Sequence, residues 1–241
     1  MSSTLTTGHR DRRKRRVSAC GAGLLLLTMA CCASGGILLD RIIVEFPSDQ
    51  APRQDIYVIN EGDENAFVEV EVLAVNNPGE ENEERVSLAG AENVPFLASP
   101  ARLVIGPRGR KQVRLVNLPG PGATEQVYRI NVTPVMPPLA KQTGATVQVV
   151  VAYQALVIAH PAKPREALQV TRSDNALHFH NTGNTYALLA DGRQCDDQQS
   201  NCVDLPSRRL YAGNQWTIAL PYATPVHYAV TTYKGVREQR F

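Results

Sequence analysis

The segment Thr146–Ile158 reads Thr-Val-Gln-Val-Val-Val-Ala-Tyr-Gln-Ala-Leu-Val-Ile, and it restricts the possible folds more than any other stretch of the chain. Side chains of an extended strand alternate between two faces. Val147, Val149, Val151, Tyr153, Ala155 and Val157 therefore share one face, which is apolar throughout. Gln148, Val150, Ala152, Gln154, Leu156 and Ile158 form the other, which turns apolar only toward its C-terminal end. Extended, the segment spans about 40 Å, against a usual strand of about 5–6 residues. It is either an ordinary long core strand or one that presents an apolar row on a sheet edge. An edge of that kind aggregates unless something covers it. A protein that keeps one can use it to pair with another chain by strand addition.

The rest of the chain has little helical periodicity. Strands are expected at Leu38–Phe46, Asp55–Asn60, Ala66–Val75, Arg102–Ile105, Gln112–Asn117, Val127–Thr133 and Val147–Ala159. Turn clusters such as Asn76-Asn77-Pro78-Gly79 and Pro119-Gly120-Pro121-Gly122 separate them. A second, smaller set falls at Ala167–Arg172, Ala176–Asn181, Ala187–Asp191, Arg208–Leu210, Gln215–Ala219 and His227–Tyr233. The expected fold is all-β, with two β-sandwich domains, 34–160 and 165–241, joined by a hinge linker at 161–164. With 43% hydrophobic and 20% charged residues in 241, the chain is not intrinsically disordered. A single continuously apolar stretch excludes a polytopic membrane protein.

That stretch lies near the N-terminus. Arg10, Arg12, Arg13, Lys14, Arg15 and Arg16 precede an apolar run, Val17–Ala33, with small residues at its end. This is the pattern of a secretory signal peptide spanning 1–33, with a retained anchor helix as its rival. Of 25 basic and 23 acidic residues, the leader carries six and one, which leaves 19 against 22, or net −3. The remaining chain has no nucleic-acid footprint. Only Cys195 and Cys202 remain of the five cysteines, an even pair in an exported chain, so a structural disulfide is expected.

Other constellations have ordinary explanations. The run Glu80-Glu81-Asn82-Glu83-Glu84 is expected to be a solvated loop, and Trp216 to plug the second core. His178 and His180 share a strand face, an arrangement more often solvent-facing than metal-binding. Asp191, Asp204, Ser207 and His227 lack a nucleophile elbow, so no catalytic residue is assigned. No metal or cofactor is called for.

Several motifs in order resemble the periplasmic chaperones of chaperone–usher pilus assembly, over nearly the whole exported chain. They are Leu39-Asp40-Arg41; Pro100 with Ile105-Gly106-Pro107 and Val113-Arg114-Leu115; Glu125 through Asn131 with Pro137-Pro138; Val147–Pro161; and Asn181 through Tyr186. Arg108 stands where that family usually has Gly. The resemblance implies two immunoglobulin-like domains set at an angle, without enzyme activity. It implies a periplasmic protein that folds and caps pilus subunits by donor-strand complementation and delivers them to an outer-membrane usher. No small-molecule substrate is implied. The donor row then falls on Val147, Val149 and Val151. A secreted structural pilin or adhesin is the alternative, but a strand begins here almost at once after the leader.

Two departures stand out. The family's basic pair, which holds the subunit's terminal carboxylate, falls on Ile43 and Leu156. This is similar to the divergent alternate-chaperone branch. Arg41 becomes the candidate anchor, with Arg114 and Arg129 as weaker substitutes. At the hinge, the family's ion cluster falls on Glu125 and His160, with a direct contact between them or a half-buried His160 that only packs as the two readings.

Overall fold

A computed structural model describes residues 36–136 and 150–241. The leader and two residues of the expected donor row, Val147 and Val149, lie outside the described residues. Among those residues no helix occurs. The strands of the first half are β1 (Ile37–Leu39), β2 (Ile43–Phe46), β3 (Arg53–Asn60), β4 (Ala66–Asn76), β5 (Glu84–Ser87), β6 (Phe96–Ser99), β7 (Arg102–Ile105), β8 (Arg110–Asn117), β9 (Gln126–Pro134) and β10 (Tyr153–Ala159). They form one sheet in the order β1-β3-β8-β6 and a second in the order β2-β10-β9-β4-β5, with β7 also on β4. The second half holds β11 (Leu168–Ser173), β12 (Ala176–Asn181), β13 (Ala187–Cys195), β14 (Cys202–Leu205), β15 (Arg208–Leu210), β16 (Gln215–Ala219), β17 (Val226–Thr232) and β18 (Gly235–Arg240). These form sheets ordered β11-β12-β16 and β14-β13-β17-β18, with β15 on β13.

Alternation explains both cores. In β3, Ile56 and Val58 point inward beside Val113 and Leu115 of β8. They meet Val68, Val70, Ile130, Val132, Ala155 and Val157 from the opposing sheet, around a Phe46–Phe96–Tyr128 aromatic group. In the second sandwich Leu177, Phe179, Leu189, Leu210, Val226, Tyr228 and Val230 play the same part. Trp216 does not plug this core; it stacks on Phe179 at 5.5 Å from a half-buried position. The disulfide joins Cys195 to Cys202, which face each other across β13 and β14.

The expected first strand is two strands in different sheets. Asp40 ends β1 by exchanging bonds with Tyr57: its N–H donates to the Tyr57 carbonyl at 3.1 Å, and its carboxylate accepts the Tyr57 N–H at 2.8 Å. The chain then crosses over, and β2 pairs in parallel with β10.

Expected strand 147–159 is also shorter where it is described. Pairing with β9 starts at Tyr153 opposite Val132, and Val150–Ala152 form no ladder. The β9 strand ends at Pro134, which has no N–H to offer a ladder.

Candidate functional site

A third apolar cluster joins the two sandwiches. Val75, Val127, Leu156 and Ile158, from β4, β9 and β10, pack with Tyr186 and Tyr211 of the second sandwich, and Leu188 leans against them. Leu156 and Ile158 lie on the face of β10 opposite the one that fills the first core. This answers why both faces of β10 become apolar at its C-terminal end: one face is core and the other is junction.

Registers place Ile43, Leu156, Arg129 and Leu73 in one row across β2, β10, β9 and β4. Leu156 is 8% exposed, whereas Ile43, on the edge strand β2, is 47% exposed. Arg129 therefore stands directly beside Leu156 on the face that meets the second sandwich. Its Nε is buried and has no hydrogen-bond partner among the described residues, and the same holds for Nη1 of Arg209 in β15. The Arg209 guanidinium lies 4.2 Å from the centre of the Tyr186 ring. Both arginines act electrostatically on Tyr211, whose hydroxyl is pushed up chiefly by burial.

Arg41 sits elsewhere. It belongs to the crossover between β1 and β2, not to a strand, and lies 3.4 Å from Asp40 with its side chain 45% exposed. Arg114 is on the far side of the first sandwich, bound through two nitrogens to Asp55 at 2.9 and 3.1 Å.

At the hinge, His160 is 3% exposed. Its Nε2 lies 3.2 Å from Oε2 of Glu45 in β2, and its Nδ1 lies 3.3 Å from Oγ1 of Thr185. The Tyr186 hydroxyl donates to Oε1 of Glu45 at 2.6 Å. Glu125 accepts from Thr185 Oγ1 at 3.1 Å, from Tyr186 N at 2.8 Å and from Ala212 N at 3.3 Å. The expected direct contact of Glu125 with His160 is thus replaced by a bridge through the Thr185 hydroxyl. The carboxylate that meets the imidazole is Glu45, which reasoning from sequence missed. Its signal was an acidic residue on an otherwise apolar strand, Ile-Val-Glu-Phe.

The His160 hydrogen bond holds the Glu45 carboxyl below its ordinary range, although burial opposes this. Burial pushes Glu125 up in spite of its three donors. Tyr186 is pushed up to about 12 by burial and by its bond to Glu45.

Nor is the acidic run simply solvated. Glu80 accepts from Asn214 Nδ2 at 2.6 Å, and Asn214 Nδ2 also reaches the Pro78 carbonyl at 3.2 Å. Arg208 Nη2 donates to the Gly79 carbonyl at 2.8 Å. The β4–β5 turn therefore grips the second sandwich. Within the turn, burial raises Glu83, but the Gly79 N–H and Arg85 outweigh it and hold its carboxyl down.

The last feature of the site is an open edge. The β2 strand pairs with β10 only over Leu156–Ala159. The Leu156 N–H points toward that side, donating to Ile42 O at 2.8 Å. By the two-residue period Gln154 turns its backbone N–H and C=O the same way, where the described residues supply no strand. Val151, two residues before Tyr153 and outside the strand, is 52% exposed.

The comparisons agree with this architecture. No curated protein matches the chain in sequence. Among solved structures, the fold is similar to that of the class 5 fimbriae chaperone CfaA, at 18% identity and a TM-score of 0.62, covering 85% of this chain and 98% of that one. It is similar to the SafB chaperone solved with the SafA pilin of Salmonella enterica, at 17% identity and a TM-score of 0.59, covering 86% and 96%. The E. coli chaperone DraB gives 18% identity and a TM-score of 0.57, with 86% and 96% covered. The family described as pili and flagellar-assembly chaperone, PapD N-terminal domain, matches residues 36–165, more than half of the chain. With its two sandwiches and built junction, the chain belongs to that family of pilus-assembly chaperones.

Proposed function

We propose that this pilus chaperone works in the periplasm, exported by the leader at 1–33, and holds each pilus subunit by lending it the strand edge at the start of β10. The observation that carries this reading is the stretch Tyr153–Ala155, which has no partner on the β2 side among the described residues, together with the exposed Val151 just before it. The donor row is Val147, Val149 and Val151. Each valine buried in a subunit groove contributes about 1.5–3 kcal/mol in addition to the backbone ladder. The driving force is the folding of the subunit itself. The loaded chaperone then delivers its subunit to an outer-membrane usher.

The subunit's terminal carboxylate belongs with the buried cation charge. That charge is carried by Arg129 and Arg209, one from each sandwich, while Arg41 lies in an exposed crossover beside Asp40. A guanidinium with an unsatisfied N–H is the donor such a carboxylate needs.

Co-expression with subunits of the same pilus system, followed by recovery of the complex from periplasm, tests both parts. Val149→Asp and Val151→Asp put a charge into an apolar groove, at a cost of several kcal/mol, and are expected to abolish recovery while the free chaperone stays folded. Wild-type recovery by both would sink the donor row. Arg129→Ala is expected to lower recovery more than Arg41→Ala; the reverse order would return the anchor to Arg41.

A further inference from the structure

The hydrogen bonds of Arg85 do not follow its place in the sheet. Arg85 lies on β5 opposite Val75 of β4, and Gln154 lies on β10, with β4 and β9 between the two strands. Three strand spacings, about 14 Å on a flat sheet, separate β5 from β10. Arg85 Nη1 nevertheless donates to Gln154 Oε1 at 3.1 Å. The β5 edge therefore curls over, and the Arg85 side chain reaches across the face of β4 and β9. It starts opposite Val75 and ends in the row of Gln154, Asn131 and Glu71. The row between, which it passes over, is that of Leu73, Arg129 and Leu156.

The guanidinium is pinned along one edge only. Its Nε and Nη2 both donate to Glu83 Oε1, at 3.0 and 2.8 Å, and the other oxygen of Glu83 accepts the Gly79 N–H at 2.9 Å. The opposite edge, Nη1 with the second proton of Nη2, is a fork of the shape that grips a carboxylate. Among the described residues its acceptor is the neutral oxygen of Gln154. That amide is steadied in turn, donating from Nε2 to Asn131 Oδ1 at 2.8 Å. Asn131 donates to Glu71 Oε2 at 3.2 Å, and Ser87 takes the other Glu71 oxygen at 2.8 Å.

From this geometry we infer that the fork of Arg85 is the entry to the carboxylate site: it takes the subunit's terminal carboxylate in exchange for Gln154 and holds it together with Arg129. The inference rests on the proposed capture of that carboxylate at Arg129, and it adds a residue from β5, a strand the resemblance does not point to. Arg85 and Arg129 both act electrostatically on Glu83, so the two guanidiniums surround one place on this face. They differ in access: the Arg129 Nε is buried, whereas the Arg85 side chain is 44% exposed and can meet an anion arriving from water. A hydrogen bond from a guanidinium to a carboxylate is roughly twice as strong as one to a neutral oxygen, so the amide yields to the carboxylate.

The residue that gives way has its own significance. Gln154 belongs to the stretch Tyr153–Ala155, which has no partner on the β2 side among the described residues. Addition of a subunit strand and arrival of its carboxylate therefore act on the same residue, the first through its backbone and the second through its side chain. In the sequence Arg85 directly follows the acidic run, and nothing there marks it. Only the curl of β5 brings it to β10.

The test is the dissociation rate of the complex with a subunit of the same pilus system, co-expressed and purified from periplasm. Arg85→Ala should speed dissociation about tenfold, the loss of one charge-assisted bond. Arg85→Lys keeps the charge without the fork and should fall between wild type and Arg85→Ala; it carries the test if the alanine variant does not fold. Gln154→Ala removes only the acceptor that the carboxylate displaces, so its complex should dissociate no faster than wild type. A bond that merely braces the sheet would make the two alanine variants alike, both faster. That result, or a wild-type rate in Arg85→Ala, would overturn the inference. Arg129→Ala in the same assay separates the two levels. A fast rate there beside a wild-type rate in Arg85→Ala removes the entry role alone, whereas a wild-type rate in Arg129→Ala removes the anchor and the entry role with it.

Discussion

Glu45 and Glu125 lie on opposite sides of the same imidazole and answer acid in opposite senses. Glu45 is held low in the folded chain, so its stabilisation is present above its unfolded pKa and disappears as pH falls through the folded value. Glu125 is raised, so its contribution is complete below the unfolded pKa and is lost as pH rises through the folded value. The junction is therefore strongest in an intermediate window. Glu45→Gln should flatten the acid side of a plot of thermal midpoint against pH, and Glu125→Gln should flatten the other side. Scanning calorimetry from about pH 3 to about pH 8 covers both limbs. The same residues also explain why a Glu-His-Thr grouping here is not a catalytic triad. The Thr185 hydroxyl is buried and engaged by Glu125, so no substrate can reach it.

Among the elements, the β4–β5 turn reaches the second sandwich through Asn214 and Arg208. Gly79 has a φ of +78°, and a Cβ there would lie 2.7 Å from Asn214 Oδ1 and 3.0 Å from Tyr211 Cδ2. Only glycine allows both the left-handed backbone and the close approach to the second sandwich. Gly79→Val should destabilise by about 1–3 kcal/mol, measured as a lower urea midpoint. An unchanged midpoint would mean that the turn does not press on Asn214. The β10 strand shows how one element serves three surfaces: Val157 fills the first core, Ile158 the junction, and Tyr153–Ala155 have no partner strand on the β2 side among the described residues. Bulky apolar residues on both faces are needed only where both faces are covered, which is why glutamine remains at position 154. Its side chain instead bonds Asn131 and Arg85 on the surface.

At the scale of the whole molecule, a hydrophobic cluster lies where a linker alone would allow free movement. Inter-domain contacts are mobile by default unless they are large and apolar. Here the described residues all fall within one compact unit, Ser34–Phe241. A single cooperative thermal transition is expected for the wild type. Leu156→Ala leaves a cavity beside Tyr186 and Tyr211, costs about 2–5 kcal/mol, and should split the calorimetric peak into two, one for each sandwich. A single peak in the variant would show that the hinge and turn contacts couple the halves without Leu156.

Period-two patterning determined much of this protein by itself. Alternation of side chains is a local property, so it marked most strands with one buried face and the all-β class, while the even cysteine count in an exported chain pointed to the disulfide. It was silent on β5, β14 and β18, which are exposed on nearly every residue and are held by backbone ladders, and on the four-residue β6, too short to show a period. It also ran β1 and β2 together, because apolar residues at both parities hide the shift of the buried positions from Ile37 and Leu39 to Val44 and Phe46. What the tertiary structure alone decided is which groups meet across the junction. Arg129 and Arg209 are distant in the chain, as are Glu45, His160 and Thr185. Register and the packing of two sandwiches bring Glu45, His160 and Thr185 into contact and set both arginines near Tyr211, and burial there leaves one guanidinium nitrogen of each arginine without a partner among the described residues.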